Sequence, residues 1–203
     1  MVSDANVNGF LKLQAEELGT QAEIAIVGRS NCGKSSLINA LLNEKVAITS
    51  KTPGKTQQLI MHTLDLALPF RLSIVDAPGY GYANAPIEEM NKWRKFTSRY
   101  FQYSEKLFNT ILLIDSRRGI LESDKILIEM LEENKRTCTV VLTKADCLNV
   151  GELKNILIKT GHEINKKPRV FGTVFATSAR LSYGIKELQA YMVYDLLNRI
   201  KQN

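Results

Sequence analysis

Residues 28–35 read G-R-S-N-C-G-K-S and combine glycines, a lysine and hydroxyl groups at a spacing that suits phosphate chemistry. The glycines permit a sharp turn and a close approach of the backbone to an anion, and the following amides point to that anion from a helix start. Lys34 adds a positive charge, and Ser35 adds a hydroxyl that suits magnesium. A strand-like run (22–27) precedes this stretch and a helix-like run (36–42) follows it, so the sequence predicts a phosphate-binding P-loop.

A carboxylate stands at the end of a second apolar strand. Asp76 closes the run 72–76, and Gly79 follows in the sequence D-A-P-G. The carboxylate can hold magnesium through water, while the Gly79 amide can meet a terminal phosphate. Alone, this pattern is a common turn. At a strand end behind a P-loop, it indicates a nucleotide sensor.

The sequence T-K-A-D at residues 143–146 follows another buried strand. Asp146 can accept hydrogen bonds from N1 and the exocyclic amine of guanine, which adenine cannot donate. A buried acceptor left unpaired costs about 1 to 3 kcal/mol, so Asp146 can select GTP over ATP. Lys144 can lay its aliphatic stem over the purine. The residues T-S-A at 177–179 would offer a backbone amide to the guanine O6.

The hydrophobic pattern alternates strands with helices. It predicts strands at 22–27, 59–68, 70–76, 110–115, 138–142 and 170–176, of which the second and third form a hairpin. Helices are expected from the P-loop to about 43, from 86 to about 103, after a cap at Ser123, over 150–165 and up to about 200. We therefore expect an α/β fold with a mostly parallel six-stranded sheet, one antiparallel strand and helices on both faces. Ligands bind such sheets at the carboxyl ends of the strands.

Length and composition set the broad class. The chain has 203 residues, a net charge of +6 and a pI near 9.2, and we expect an arm at 1–21 and one domain at 22–203. The charge makes an RNA partner plausible, although phosphate ligands alone attract some of it. Three cysteines and two histidines at unrelated spacings argue against a disulfide framework and a zinc site. The cysteine pattern favours reduced thiols in a cytoplasm, and the sequence contains neither an apolar membrane span nor a signal-peptide core.

Four motifs together resemble a known family. They are G-R-S-N-x-G-K-S-S-L-I-N-A-L, T-P-G-K-T-Q, D-x-P-G-Y-G-Y-A and T-K-A-D. In order and spacing they are similar to translation-factor-type GTPases, and more narrowly to the EngB (YihA/YsxC-type) bacterial GTP-binding proteins, over about residues 22–200. The resemblance implies a single-domain P-loop GTPase fold and a small cytoplasmic GTPase. It also implies a role in assembly of the large ribosomal subunit and in normal cell division.

The resemblance assigns nucleotide contacts in five segments of the chain. The first, the P-loop and its continuation, comprises Gly28, Arg29, Ser30, Asn31, Cys32, Gly33, Lys34, Ser35 and Ser36. The first switch comprises Gly54, Lys55, Thr56, Gln57 and Gln58, and the second switch begins with Asp76, Ala77, Pro78 and Gly79. Guanine would be held by Thr143, Lys144, Ala145, Asp146, Thr177, Ser178 and Ala179.

The same resemblance implies the metal ligands and the groups that act in hydrolysis. Magnesium would be held by Ser35, Thr56 and Asp76. Hydrolysis would depend on Lys34, Thr56, Gly79 and Asn31.

Two positions depart from the general GTPase pattern. Thr143 stands where asparagine is usual, and its hydroxyl offers fewer bonds than an amide, which predicts a modest affinity for the base. Tyr80 stands where many regulatory GTPases place the glutamine that orients the attacking water, so we expect slow intrinsic hydrolysis. Asn31 either holds a potassium ion beside the phosphates, as in similar GTPases, or only shapes the loop.

The helix after the second switch predicts a partner surface. Its cations surround an aromatic stripe and either contact ribosomal RNA or form a solvated face over core aromatics. Expected partners are GTP, GDP and the large ribosomal subunit or its rRNA, with the protein itself a monomer. An RNA-binding or ribosome-binding switch with incidental hydrolysis, and an ATPase of another class, are the alternatives. The cations are Lys92, Arg94, Lys95, Arg99 and Lys106.

Overall fold

The computed structural model describes residues 21–45, 59–64, 71–80, 95, 97–167 and 170–200. The expected arm lies outside these residues except for Gln21. Three other predicted features also lie outside them: the first switch at 54–58, the start of the helix predicted from 86, and two of its cations, Lys92 and Arg94.

Six strands in the described residues form one sheet in the order β2-β3-β1-β4-β5-β6. β2 pairs with β3 antiparallel, and every other pair is parallel. This confirms the predicted mixed sheet. The strands are β1 (Gln21–Gly28), β2 (Ile60–Leu64), β3 (Arg71–Asp76), β4 (Leu107–Asp115), β5 (Cys138–Thr143) and β6 (Val170–Ala176).

Four α-helices have both ends in the described residues, and a further helical segment covers residues 97–103. Helix α1 follows the P-loop, α2 lies between β4 and β5, α3 lies between β5 and β6, and α4 follows β6. Their bounds are α1 (Lys34–Leu42), α2 (Glu122–Glu133), α3 (Val150–Ile164) and α4 (Ile185–Ile200).

The predicted cap of α2 is wrong by two residues. Leu121 is the N-cap, and Ser123 lies inside the first turn. The Asp124 carboxylate accepts the Leu121 amide at 2.7 Å and satisfies one of the free donors at the helix start. The Asp124 carboxylate in the first turn therefore caps this helix start, a role that the sequence suggested for the Ser123 hydroxyl.

Helices cover both faces of the sheet, as predicted. Successive strand residues point to opposite faces, so the apolar strands feed two cores. On one face, Ile24 and Ile26 pack with Leu37 of α1 and Leu188 of α4. On the other face, the core of Leu112, Ile114 and Val140 includes Leu127 of α2, Ile164 of α3 and Phe101. The two layers fix the sheet between them.

Five strand ends meet at one edge because β1, β3, β4, β5 and β6 run in the same direction. This is the edge at which parallel sheets bind ligands. None of the helices in the described part of the chain is long and apolar enough to cross a membrane. The residues that close the five strands are Gly28, Asp76, Asp115, Thr143 and Ala176.

Candidate nucleotide-binding site

The P-loop turns from β1 into α1 through two residues with positive φ. Asn31 has φ 62° and Gly33 has φ 103°. A Cβ added to Gly28 would lie 2.6 Å from Cys32 Sγ and 3.0 Å from the Leu113 carbonyl oxygen, so the loop closes only over a glycine. The turn ends at Lys34, the first residue of α1.

Lys34 joins the P-loop to the end of β3. Its ammonium contacts Asp76 Oδ1 directly, and the two side chains are 11% and 4% exposed. A carboxylate that can hold magnesium and a cation that can bind phosphate thus share one small space at the edge of the sheet. Ser35 follows Lys34 and is partly buried.

The hydroxyl of Thr143 serves the P-loop. It donates to the Cys32 carbonyl, and the Ile114 carbonyl also lies 3.3 Å away. The expectation that this hydroxyl would be a weaker partner for the base misses this role, since it braces the phosphate loop against β4 and β5. Burial raises the pKa of the Cys32 thiol to about 11, which keeps it protonated at neutral pH and agrees with a packing role.

The second motif packs closely against the P-loop. The Ser30 amide donates to the Tyr80 carbonyl at 3.0 Å, and the Tyr80 amide donates to the Gly28 carbonyl at 3.2 Å. A Cβ on Gly79 would lie 3.1 Å from Ser30 Oγ and 3.3 Å from Ser30 backbone atoms. The absence of a side chain at Gly79 therefore lets the two segments lie side by side.

The Tyr80 side chain points away from this edge into the second core. The residue is 6% exposed, and its hydroxyl donates to Asp124 Oδ1 at 2.7 Å. The same carboxylate oxygen lies 3.2 Å from Arg29 Nε, and Arg29 Nη2 donates to the Gly119 carbonyl at 3.0 Å. Sequence reasoning missed this buried cluster because its members are far apart in the chain and match no motif.

A cavity of about 260 Å³ lies at the other end of the P-loop, toward β5 and β6. Its walls bring together the start of α1, the T-K-A-D segment and the T-S-A segment. The lining residues are Gly33, Ser36, Leu37, Thr143, Lys144, Asp146, Cys147, Thr177, Ala179 and Arg180.

Asp146 presents an ionised carboxylate to this cavity. A hydrogen bond from the Ser178 hydroxyl and the nearby Arg180 guanidinium lower its pKa. Arg180 Nη2 lies 2.9 Å from Asp146 Oδ2, and the aspartate side chain is 6% exposed. Sequence reasoning missed Arg180, although its place directly after T-S-A is a usable signal.

The Lys144 side chain extends from the T-K-A-D segment to the P-loop. It has φ 57°, and its ammonium donates to the Asn31 carbonyl at 2.6 Å. Its Cε lies 3.6 Å from the Cβ position of Gly33. The aliphatic stem therefore passes across the P-loop, where it can cover one side of a purine.

The T-S-A segment is fastened to β5. The Thr177 amide donates to the Leu142 carbonyl at 2.7 Å, and the Ala145 amide donates to the Thr177 carbonyl at 3.0 Å. This pairing places residues 177–179 beside residues 143–146, with Ala179 at the wall of the cavity.

The P-loop follows β1, Asp76 ends β3 and Asp146 follows β5 of one mixed sheet. This arrangement is typical of P-loop GTPases. Residues 23–144 match the family model described as 50S ribosome-binding GTPase. The probable GTP-binding protein EngB of Mesorhizobium japonicum is 42% identical over 178 residues, which cover 84% of each chain. The chain belongs to the EngB family of GTP-binding proteins, and its activity is the hydrolysis of GTP.

Solved structures share the fold. A probable GTP-binding protein EngB has a TM-score of 0.64 at 24% identity, covering 90% of this chain and 100% of that one. Era in complex with MgGDPNP and nucleotides 1506–1542 of 16S ribosomal RNA has a TM-score of 0.70 at 23% identity, covering 86% of this chain and 56% of that one. The predicted fold and the resemblance to EngB are thus both confirmed.

Proposed function

We propose that the protein is a magnesium-dependent GTP switch that acts in assembly of the large ribosomal subunit and is needed for normal cell division. The observation that carries the proposal is the cavity in which Asp146 and Lys144 meet Gly33 of the P-loop. A base held there would direct its phosphates toward Lys34. The description of the matching family as 50S ribosome-binding supports the ribosomal part.

In this proposal, one group of residues binds the guanine base and another binds the phosphates. Asp146 accepts hydrogen bonds from N1 and the exocyclic amine of guanine, and the Ala179 amide donates a hydrogen bond to O6. The backbone of the P-loop and Lys34 hold the phosphates. Residues 54–58 form the first switch in this proposal.

The donor set fits magnesium. Asp76 is buried at the strand end, and Ser35 lies in the first turn of the adjacent helix, so both offer the oxygen ligands that this ion prefers. Thr56 completes the proposed set. Magnesium held there would neutralise charge on the phosphates, and Lys34 and the Gly79 amide would position the terminal phosphate.

Intrinsic hydrolysis is slow in this proposal because the Tyr80 hydroxyl is held by Asp124 in the core. Asn31 is exposed at the turn of the P-loop and is a candidate to hold potassium beside the phosphates. Turnover in potassium and in sodium tests this role. Faster turnover in potassium, lost in Asn31→Ala, supports it, and equal rates contradict it.

The proposed partner is the large ribosomal subunit or its rRNA. The net charge of +6 favours an anionic surface, and Lys95 and Arg99 are exposed on the segment after the second switch. The related fold of Era binds 16S ribosomal RNA in a solved complex. The buried Tyr80 also favours the second candidate function, a ribosome-binding switch in which hydrolysis is incidental.

Single-turnover hydrolysis separates these two functions. Radiolabelled GTP is hydrolysed by the full chain alone, with large subunits, and with small subunits as the matched control. We expect large subunits to raise the rate at least about tenfold, since a partner can complete the site. Binding of large subunits without a change in rate would favour the switch with incidental hydrolysis, and no binding would contradict both.

A further inference from the structure

Asp115, the last residue of β4, lies beneath the T-K-A-D segment but belongs to no nucleotide-binding motif. The residue is 4% exposed. Its Oδ2 lies 3.0 Å from Lys144 Nζ and 2.6 Å from Arg117 Nη2. Its Oδ1 accepts Arg117 Nε at 2.9 Å and the Arg117 amide at 3.1 Å. The carboxylate is therefore fully engaged, and one of its two partners reaches the nucleotide cavity.

Asp115 is ionised at neutral pH. Burial alone would raise its pKa, but hydrogen bonds from Arg117 and Lys144 hold the pKa well below the ordinary value. Arg117 is about half exposed, and Lys144 is the less exposed cation of the two, with 29% of its side chain exposed. The carboxylate thus offers Lys144 a full negative charge in a partly dehydrated place.

Lys144 is fixed at both ends by this arrangement. Its ammonium is shared between Asp115 and the Asn31 carbonyl, at 3.0 and 2.6 Å. Its own carbonyl accepts the Ser116 hydroxyl at 3.0 Å. A free lysine side chain loses rotamer entropy when it is ordered, and these contacts remove much of that freedom before a ligand binds.

We propose that Asp115 is a positioning residue for the guanine nucleotide, acting by holding the Lys144 stem across the P-loop as a preformed wall for the base. Such preorganisation increases affinity without a contact between Asp115 and the nucleotide. The inference rests on the proposed guanine site of Asp146 and Lys144.

The loop that follows Asp115, residues 116–121, makes separate contacts with β5 and with the P-loop. The Ser116 amide donates to the Thr143 carbonyl at 3.0 Å, and the Gly119 carbonyl accepts Arg29. These contacts use backbone groups of the loop. Replacing the Asp115 carboxylate by an amide of the same shape keeps them available and removes the charge that holds Lys144.

A double-mutant cycle tests the proposal. Affinity for fluorescently labelled GDP is measured for the wild type, Asp115→Asn, Lys144→Met and the double variant. We expect Asp115→Asn to weaken GDP binding about tenfold, since a hydrogen bond to a charged group is removed. In the Lys144→Met background the same change should have little further effect, because the ammonium group that Asp115 holds is gone.

Steady-state kinetics add a second readout. The loss in Asp115→Asn should appear as a higher KM for GTP with a smaller change in kcat, because the base is bound before and during the reaction. The matched control is Asp195→Asn, which removes another buried carboxylate with an arginine partner, Arg199, at 3.2 Å, on α4 away from the cavity. It should bind GDP like the wild type.

Additive losses in the cycle, or wild-type affinity in Asp115→Asn, would overturn the proposal. If Asp115→Asn does not fold, Asp115→Glu keeps the charge but displaces the carboxylate, and it should give a smaller loss that again depends on Lys144. Failure of the guanine site itself is recognised separately. In that case Asp146→Asn leaves the preference for GDP over other nucleotides unchanged, regardless of the affinities measured for the Asp115 variants.

Discussion

Tyr80 stands directly after Gly79, but its side chain points away from the edge where the phosphates are expected. Its ring packs with the second core, and its hydroxyl is held by a carboxylate that also pairs with Arg29. The Tyr80 backbone, by contrast, exchanges hydrogen bonds with Gly28 and Ser30. At this position the main chain shapes the site, while the side chain stabilises the fold.

Tyr80→Phe separates these roles. Removal of the hydroxyl leaves the buried Asp124 carboxylate with one donor fewer, so we expect a loss of about 1 to 3 kcal/mol in the free energy of unfolding. The rate of GTP hydrolysis by the folded protein should change by less than about threefold, since 1 kcal/mol of transition-state stabilisation would already give more. Urea unfolding and single-turnover hydrolysis measure the two effects. A collapse of hydrolysis at unchanged stability would show that Tyr80 acts on the attacking water.

The elements around the site are held by ionic side chains at their ends. Arg136, between α2 and β5, donates to the carbonyls of Phe101, Ser104 at 2.8 Å and Leu107 at 3.3 Å. Glu23 of β1 accepts the Tyr100 hydroxyl at 2.9 Å. The end of helical segment 97–103, which follows the proposed second switch, is thereby fastened to the sheet.

Arg136→Ala tests this anchor. Several carbonyls at the end of a helix lose their donor, so we expect the free energy of unfolding to fall by about 2 to 3 kcal/mol. Lys154→Ala, on the exposed face of α3, is the control and should change it by less than about 0.5 kcal/mol. Equal unfolding midpoints for the two variants in urea would contradict the anchor.

At the scale of the whole molecule, the net positive charge is the feature that would attract an RNA partner. Lys95→Glu combined with Arg99→Glu should weaken association with large subunits and reduce the slope of log K against log salt by about two. Lys154→Glu combined with Lys159→Glu changes the net charge equally on exposed positions of α3 and serves as the control. Equal salt slopes in sedimentation assays of the two variants would show that Lys95 and Arg99 do not contact the RNA.

Much of the fold was predictable because its signals are local. The apolar run 110–115 and the P-loop each carry their pattern within a few residues, and parallel strands then bring their carboxyl ends together. Hence the meeting of Lys34 with Asp76, and of Lys144 with Gly33, follows from order in the chain. The proximity of these residues can be predicted without knowing how the side chains pack.

The supporting contacts were not predictable because they join distant residues with no shared pattern. Arg29 was expected at the phosphates, whereas its guanidinium pairs with Asp124. The sequence predicts that Thr143 is a weak partner for the base, whereas in the structure its hydroxyl donates a hydrogen bond to the P-loop. Asp115 ends a strand like many other aspartates, and only the packed structure shows that it holds Lys144. Side-chain direction and burial decide each of these roles.

The central claim is that Asp146 recognises guanine in the cavity beside the P-loop. The most direct measurement compares the affinities of GDP, XDP and ADP for the wild type and for Asp146→Asn. The wild type should prefer GDP over XDP and ADP by at least about a hundredfold, since two hydrogen bonds to a charged acceptor are at stake. Asparagine offers a donor that suits the second carbonyl of xanthine, so the variant should prefer XDP. Equal binding of ADP and GDP by the wild type, or an unchanged preference for GDP in Asp146→Asn, would contradict the claim.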